Sequence, residues 1–463
     1  MSDEKAAAIE LKVACDKSSL PSLAEDQMLY ALAAISATGY VSPTRVPLNL
    51  CLVLDHSSSM HGEKLKQVKE SAKYITHQMR SGDRLTLVVF SDRAKTLIVQ
   101  LGGTAAQTTS QLIDAVEARG GTEIYAGLTH GLEAARKQQT DAFGNHVVLL
   151  TDGHTYGDEQ NCLEAARAAR EAGIFLTVLG VGTEWNDEFL TDLATAGGGV
   201  LEYIDSPRKI AEVFQAHLRN MQTIYAREAN LHVRPAEGVR LKDACRVSPY
   251  ITNLTREDAS MVSFRGSGPI GLGYGERDLP PGGDWSSPCQ KMGAQATAPM
   301  EHSFRLGHLG QEADQAFLLE LIVSPQATPI CRLAHVRLDY LPPDDDVEKS
   351  LEAEVILPTV TNSQVEIDHK VRDVVERVTA FRLQEKAWVS AQAGDIPQAT
   401  RLLKAASTRL LSLGESELSQ AVFAEAQQME RTGQTSNIAM KRIKYGTRGL
   451  IPFLPRLFSR RNK

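Results

Sequence analysis

Apolar positions along this chain change rhythm three times, and each rhythm predicts a different kind of element. Across residues 8–35 they alternate, with Ile9, Leu11 and Val13 in one run and Met28, Leu29, Tyr30, Ala31 and Leu32 in a second, separated by the turn-like Asp16-Lys-Ser-Ser. Alternation predicts two strands, although residues 31–35 fit a helix equally well. From Asn49 to about Met221 short apolar runs alternate with stretches of helical period. Strands are expected at 50–54, 84–91, 95–100 (a short edge strand), 146–151, 174–181 and 201–204, and helices at 64–79, 105–118, 123–137, 159–172, 187–194 and 207–221. Strands interleaved with helices predict a mostly parallel sheet covered on both faces, an open doubly wound α/β domain.

Residues 226–360 return to short alternating segments (230–234, 239–241, 261–264, 317–323 and 334–340), broken by a Gly/Pro-rich loop at 266–299, which is the pattern of a β-sandwich. The two N-terminal strands need partners, and a place at the start of an α/β domain would leave them without any. The expected layout therefore has residues 1–45 and 226–365 as two parts of one sandwich, with the α/β domain, 46–225, inserted between them. From Ile367 the period becomes helical, and Val371, Val374, Val375, Val378 and Phe381 share one helix face. Gly394-Asp395-Ile-Pro397 caps a second helix carrying Leu402, Leu403, Ala406 and Leu410, and a third is expected at 417–429. A small antiparallel helical bundle is expected over 366–440, followed by a basic tail over 441–463.

Composition narrows the function classes. With 42% apolar and 23% charged residues and a formal charge of −7, the 463-residue chain has an ordinary globular make-up, and its mildly acidic balance argues against nucleic acid as the main partner. No run of 18 apolar residues suits a bilayer span, and the polar opening Met1-Ser-Asp-Glu-Lys leads into no apolar signal region, so the cytoplasm is the expected compartment. Six scattered cysteines without a Cys-x-x-Cys pair fit reduced thiols rather than a disulfide framework or a zinc site. The tail concentrates Lys441, Arg442, Lys444, Arg448, Arg456, Arg460, Arg461 and Lys463 with no acid, interleaved with Leu and Phe and broken by Pro452 and Pro455. It reads either as a disordered tail or as a contact for an acidic surface.

The candidate chemistry begins where the first α/β strand ends, on Asp55-x-Ser57-x-Ser59. Three hard oxygen side chains at alternate positions suit a cation such as Mg²⁺ and call for further ligands. Gly-Gly-Thr122 opens a later helix and Leu-Leu-Thr-Asp152-Gly follows a later strand. All three motifs fall beyond the carboxyl ends of strands, where loops and helix N-termini converge in a doubly wound sheet. In this order and on these loops, together with Val-Leu-Gly-Val-Gly182 after a late strand, they resemble the metal-ion-dependent adhesion site of the von Willebrand factor type A (VWA) family over residues 49–221. The layout of the flanking segments is similar to that of bacterial cytosolic proteins in which such a domain interrupts a β-sandwich.

The resemblance implies a non-enzymatic interaction module in which Asp55, Ser57, Ser59, Thr122 and Asp152 hold Mg²⁺, with Mn²⁺ or Ca²⁺ as alternatives. Five oxygens, some acting through water, leave a place in the octahedron for an Asp or Glu of a protein partner. An alternative that the family also implies is an accessory or substrate-adaptor subunit of an AAA+ ATPase of the MoxR or chelatase type. His56, His61 and His154 lie near these loops, but the hydroxyl-rich set is hard and there is no Gly-x-Ser-x-Gly elbow, so neither a zinc site nor a Ser-His-Asp hydrolase is favoured. These histidines are expected on the loop surface, with His56 turned away from Ser57 and Ser59. Ser58 and Glu123 are expected as rim or helix residues rather than ligands. Gly271-x-Gly-x-Gly275 neither follows a strand nor opens a helix and reads as a loop, and Asp344-Asp-Asp346 reads as a solvated turn.

Overall fold

The computed structural model describes residues 8–38, 47–101, 106–140, 143–152, 155, 157–182, 185–204, 224–248, 250–254, 300–310, 315–326, 328–342, 345, 347–361 and 365–449. The expected helix at 207–221, the strand at 261–264, the Gly271-x-Gly-x-Gly275 loop, His154, Asp344, Asp346 and the tail from Leu450 onward lie outside the described residues.

The first strands, β1 (Ala8–Cys15), β2 (Leu20–Pro21) and β3 (Gln27–Thr38), do not join the α/β sheet that follows them. β3 runs antiparallel to β1 on one side and to β14 (Gln315–Val323) on the other. With β11 (Val239–Ser248) and β12 (Thr252–Asn253) they form a sheet of order β1-β3-β14-β11-β12. The facing sheet has order β13-β10-β15-β16-β2, where β10 is Ile224–Pro235, β13 His302–Gly310, β15 Ile330–Leu341 and β16 Lys349–Val360. Between the sheets Leu29, Ala31, Ala33, Ile35, Phe317 and Leu319 meet Leu231, Val233, Val336 and Leu338. The alternate residues Leu32, Ala34, Ala316 and Leu318 pack instead under Val371, Val374, Val375, Val378 and Phe381 of helix α6 (His369–Gln392). Both faces of β3 are therefore buried, which removes the polar half of the strand alternation. Residues 31–35, equally helix-like in sequence, are strand.

The inserted unit comprises β4 (Leu48–Asp55), β5 (Arg84–Phe90), β6 (Ala94–Leu101), β7 (Gly144–Thr151), β8 (Ile174–Val181) and β9 (Gly198–Ile204) in the order β6-β5-β4-β7-β8-β9. All pairs are parallel except the edge pair of β5 and β6. Helices α1 (Glu63–Gln78) and α2 (Ala106–Asp114) contribute to the core on one face of this sheet. Helices α3 (Ile124–Lys137), α4 (Glu159–Glu171) and α5 (Asp187–Ala196) build the core on the other. β4 is buried at every position and flanked by parallel strands on both sides, so Asp55 emerges at the carboxyl rim level with the end of β5 and beside the end of β7. The architecture is the expected one: a doubly wound α/β unit inserted in a β-sandwich, followed by helices.

The helical part is longer than expected. After α6 come α7 (Ile396–Ser412), α8 (Ser416–Thr432) and α9 (Asn437–Arg448), so the first eight residues of the segment read as a basic tail are helix. The Ser436 hydroxyl caps α9 by accepting the Ala439 N–H, and Ile443 enters the bundle core at 1% exposure. Charge density left a disordered tail or a contact for an acidic surface as the sequence readings; in α9 Lys441, Lys444 and Arg448 dock on the chain itself, while Arg442 is exposed. Lys441 Nζ donates to the Trp185 carbonyl oxygen at 2.9 Å and lies 3.7 Å from the centre of the Trp185 ring. Tyr445 OH donates to Asp187 at 2.7 Å, Lys444 pairs with the same carboxylate, and Arg448 donates to the carbonyls of Ile251 and Leu201.

Candidate metal centre

The strand-to-loop turn after β4 is held by Asp55 itself. One carboxylate oxygen accepts the Ser57 N–H at 2.8 Å, and the other accepts the Thr151 hydroxyl, at the end of neighbouring β7, at 2.6 Å. Ser57 Oγ lies 3.0 Å from Ser59 Oγ, and Ser59 Oγ donates to Asp152 Oδ1 at 2.8 Å. Asp55, Ser57, Ser59 and Asp152 are thus linked by hydrogen bonds across two adjacent loops, the Asp55 link running through the Ser57 N–H. Asp55, Ser57 and Asp152 are buried, whereas Ser59 faces solvent.

Thr122 reaches the same rim through its loop. The Ser58 N–H and hydroxyl both donate to the Gly120 carbonyl, at 3.0 and 2.9 Å, and the Glu123 N–H donates to Ser91 at the end of β5. Gly120 takes a positive φ of 80°, and a Cβ there would run into the Asp92 carboxylate, which accepts the Gly121 N–H at 2.8 Å. The glycine pair is thus needed to lay the loop against Asp92, and Thr122, which follows it, is half-buried. Among the described residues no three His, Cys, Asp or Glu side chains cluster as a metal-binding group. The set at this rim is two carboxylates and hydroxyls, oxygen throughout.

Burial pushes the Asp55 carboxyl up to about 6; hydrogen bonds from Thr151 and Ser57 oppose the rise and the nearby Asp152 charge adds to it. A cation on this rim would favour the charged form.

His56 departs from expectation. It is buried rather than on the surface, and it clamps the 116–119 segment: its Nδ1 lies 2.9 Å from the Glu117 carbonyl, and its own carbonyl accepts the Arg119 N–H at 2.8 Å. These contacts accompany the early end of α2 at Asp114, short of the expected 118. His61 is exposed.

Two residues at the centre were missed by sequence reasoning, Thr151 and Lys64. Lys64 Nζ contacts Asp152 Oδ2 at 2.5 Å. A signal for it was present, because a lysine in the first turn of a helix opposes the helix dipole and calls for an acidic partner.

Residues 49–216 match the von Willebrand factor type A domain model. The chain carries a VWA domain. Residues 369–452 match a second model, the Sll0103-like C-terminal alpha-helical domain, which spans α6 to α9 and agrees with a helical unit extending past residue 440. The chain is similar to the uncharacterized protein sll0103 of Synechocystis sp., at 33% identity over 233 residues, covering 50% of this chain and 55% of that protein. It is also similar to bovine inter-alpha-trypsin inhibitor heavy chain H1, at 28% identity, covering 44% of this chain and 25% of the relative. The chain thus spans about half of the first relative's length and a quarter of the second's. A solved structure, the von Willebrand factor type A protein from Catenulispora acidiphila, superimposes with a TM-score of 0.71 over 97% of this chain and 98% of its own at 14% identity, a likeness of fold. VWA domains often mediate protein–protein interaction. Among the described residues no helix is long and apolar enough to cross a membrane.

Proposed function

We propose that the VWA domain binds a divalent cation, Mg²⁺ in the first instance, and uses it to capture an Asp or Glu side chain of a protein partner. The observation that carries this reading is the hydrogen-bonded series that joins Asp55 to the Ser57 N–H and the Ser57 hydroxyl through Ser59 to Asp152, with the Thr122 loop tied to Ser58 through Gly120. The donor set fits a hard cation, since every candidate ligand is a carboxylate or hydroxyl oxygen and Asp55 is pre-oriented by hydrogen bonds from Thr151 and the Ser57 N–H. Ser57, Ser59 and Thr122 would offer hydroxyls to the ion, and Asp55 and Asp152 would offer carboxylates directly or through water. Bound there, the ion supplies a Lewis-acidic position facing solvent.

In this reading the chain is a binding module, and the sandwich and helices serve as scaffold or second contact surface. The test is retention of partners from the native host on immobilised protein in Mg²⁺. Partners that elute with EDTA and fail to bind Asp55→Ala or Thr122→Ala support the reading; binding that survives both treatments contradicts it.

A further inference from the structure

The charge of the centre involves a third residue. Lys64, the second residue of α1, places its ammonium 2.5 Å from Asp152 Oδ2 while Ser59 holds Oδ1. The Asp152 side chain is fully enclosed, and that of Lys64 is 29% exposed. The lysine stem is also positioned: it crosses Gly182, at the end of β8, so closely that a Cβ there would lie 3.1 Å from Lys64 Cε, and this glycine adopts a positive φ of 80°. A cation in the first turn of a helix works against the helix dipole, so its place here depends on the buried carboxylate.

Resting on the metal-site reading above, we propose that Lys64 is a built-in counter-cation of this centre. It competes with the divalent ion for Asp152, and it leaves the loaded centre with the net positive charge that attracts a partner's carboxylate. Asp55 and Asp152 with Lys64 carry one net negative charge; a divalent ion converts this to one net positive charge, and an incoming carboxylate neutralises it. Without the ammonium the loaded centre is already neutral, and a partner's carboxylate would bring an uncompensated charge to a partly desolvated site. Lys64 thus trades affinity for the ion against affinity for the partner's acid.

The experiment uses the full chain and Mn²⁺ alone, followed by electron paramagnetic resonance of the free ion, in wild type, Lys64→Met, which keeps an apolar stem over Gly182, and Lys64→Arg, which keeps the charge. Thermal unfolding in EDTA establishes that each variant is folded. Lys64→Met is expected to bind Mn²⁺ roughly tenfold more tightly, and Lys64→Arg to stay within about threefold of wild type. Unchanged or weaker binding by a folded Lys64→Met overturns the counter-cation role while leaving the metal site intact. Failure of the wild type to bind Mn²⁺ overturns the metal-site reading and this inference with it. Titrating the Mn²⁺-loaded proteins with acetate, read by water-proton relaxation, addresses the partner side: wild type should respond at several-fold lower acetate than Lys64→Met, and equal sensitivity overturns that half of the proposal.

Discussion

Thr151 shows how much of this centre depends on side chains that are not candidate ligands. Its hydroxyl satisfies Asp55 Oδ2 at 2.6 Å inside the fold, where an unpaired carboxylate oxygen is costly. Thr151→Val should destabilise the chain by about 1–3 kcal/mol, measured by urea unfolding in EDTA, and weaken Mn²⁺ binding. At Gly120 the backbone rather than a side chain is at stake. Gly120→Ala meets both the left-handed conformation and the Asp92 carboxylate, so a loss of about 1–2 kcal/mol is expected. Because the Thr122 loop must shift, Mn²⁺ affinity should fall in the same variant. Intact affinity in Gly120→Ala would mean that Thr122 is not a ligand.

Among elements, the contact between β13 and β8 carries a pH-sensitive group. His308 on β13 packs against Phe175 on β8, ring centres 5.0 Å apart, with its Nδ1 buried and without a hydrogen-bond partner. Burial lowers its pKa to about 4 from the ordinary 6.5, and the positive charges of Arg227 and Arg305 push the same way. The unfolded chain therefore takes up this proton first. The stability His308 contributes is full above about pH 6.5 and is lost as pH falls toward 4, a change on the order of 2 kcal/mol. His308→Phe should flatten that limb of the stability-versus-pH curve in urea titrations at pH 7 and 5; an unaltered slope would place the titrating group elsewhere.

The elements also differed in how legible they were. The α/β strands and the three loop motifs could be read because one short local pattern specified each. His302–Gly310 and Lys349–Val360 were not anticipated, because their alternation is diluted by charged residues on an outward face, as in Lys349, Glu352 and Glu354. Helix α9 was lost for the opposite reason: its charges looked solvent-directed, whereas their partners, Asp187, Trp185 and Leu201, lie more than two hundred residues earlier. A separation of 88 residues likewise hid the pairing of Lys64 with Asp152. Local pattern specified the types of the candidate ligands, but only the folded chain showed which charges meet.

At the scale of the whole molecule, α9 joins the C-terminal helices to the VWA domain at the loop after β8, one end of which, Gly182, also carries the Lys64 stem. Lys441→Ala removes both the hydrogen bond to the Trp185 carbonyl and the stacking of the ammonium on the indole. It should cost about 1–3 kcal/mol and expose the 433–436 connection to limited proteolysis. An unchanged digestion pattern would show that α9 is held without this lysine.

In the proposed function this rim holds a divalent ion through Asp55, Ser57, Ser59, Thr122 and Asp152. Titration calorimetry of the full chain with Mn²⁺, beside Asp55→Ala and Thr122→Ala shown to be folded by circular dichroism, tests it most directly. One saturable site is expected in the wild type and none in Asp55→Ala, with binding at least about tenfold weaker in Thr122→Ala. No saturable binding by the wild type, or equal binding by all three proteins, would contradict it.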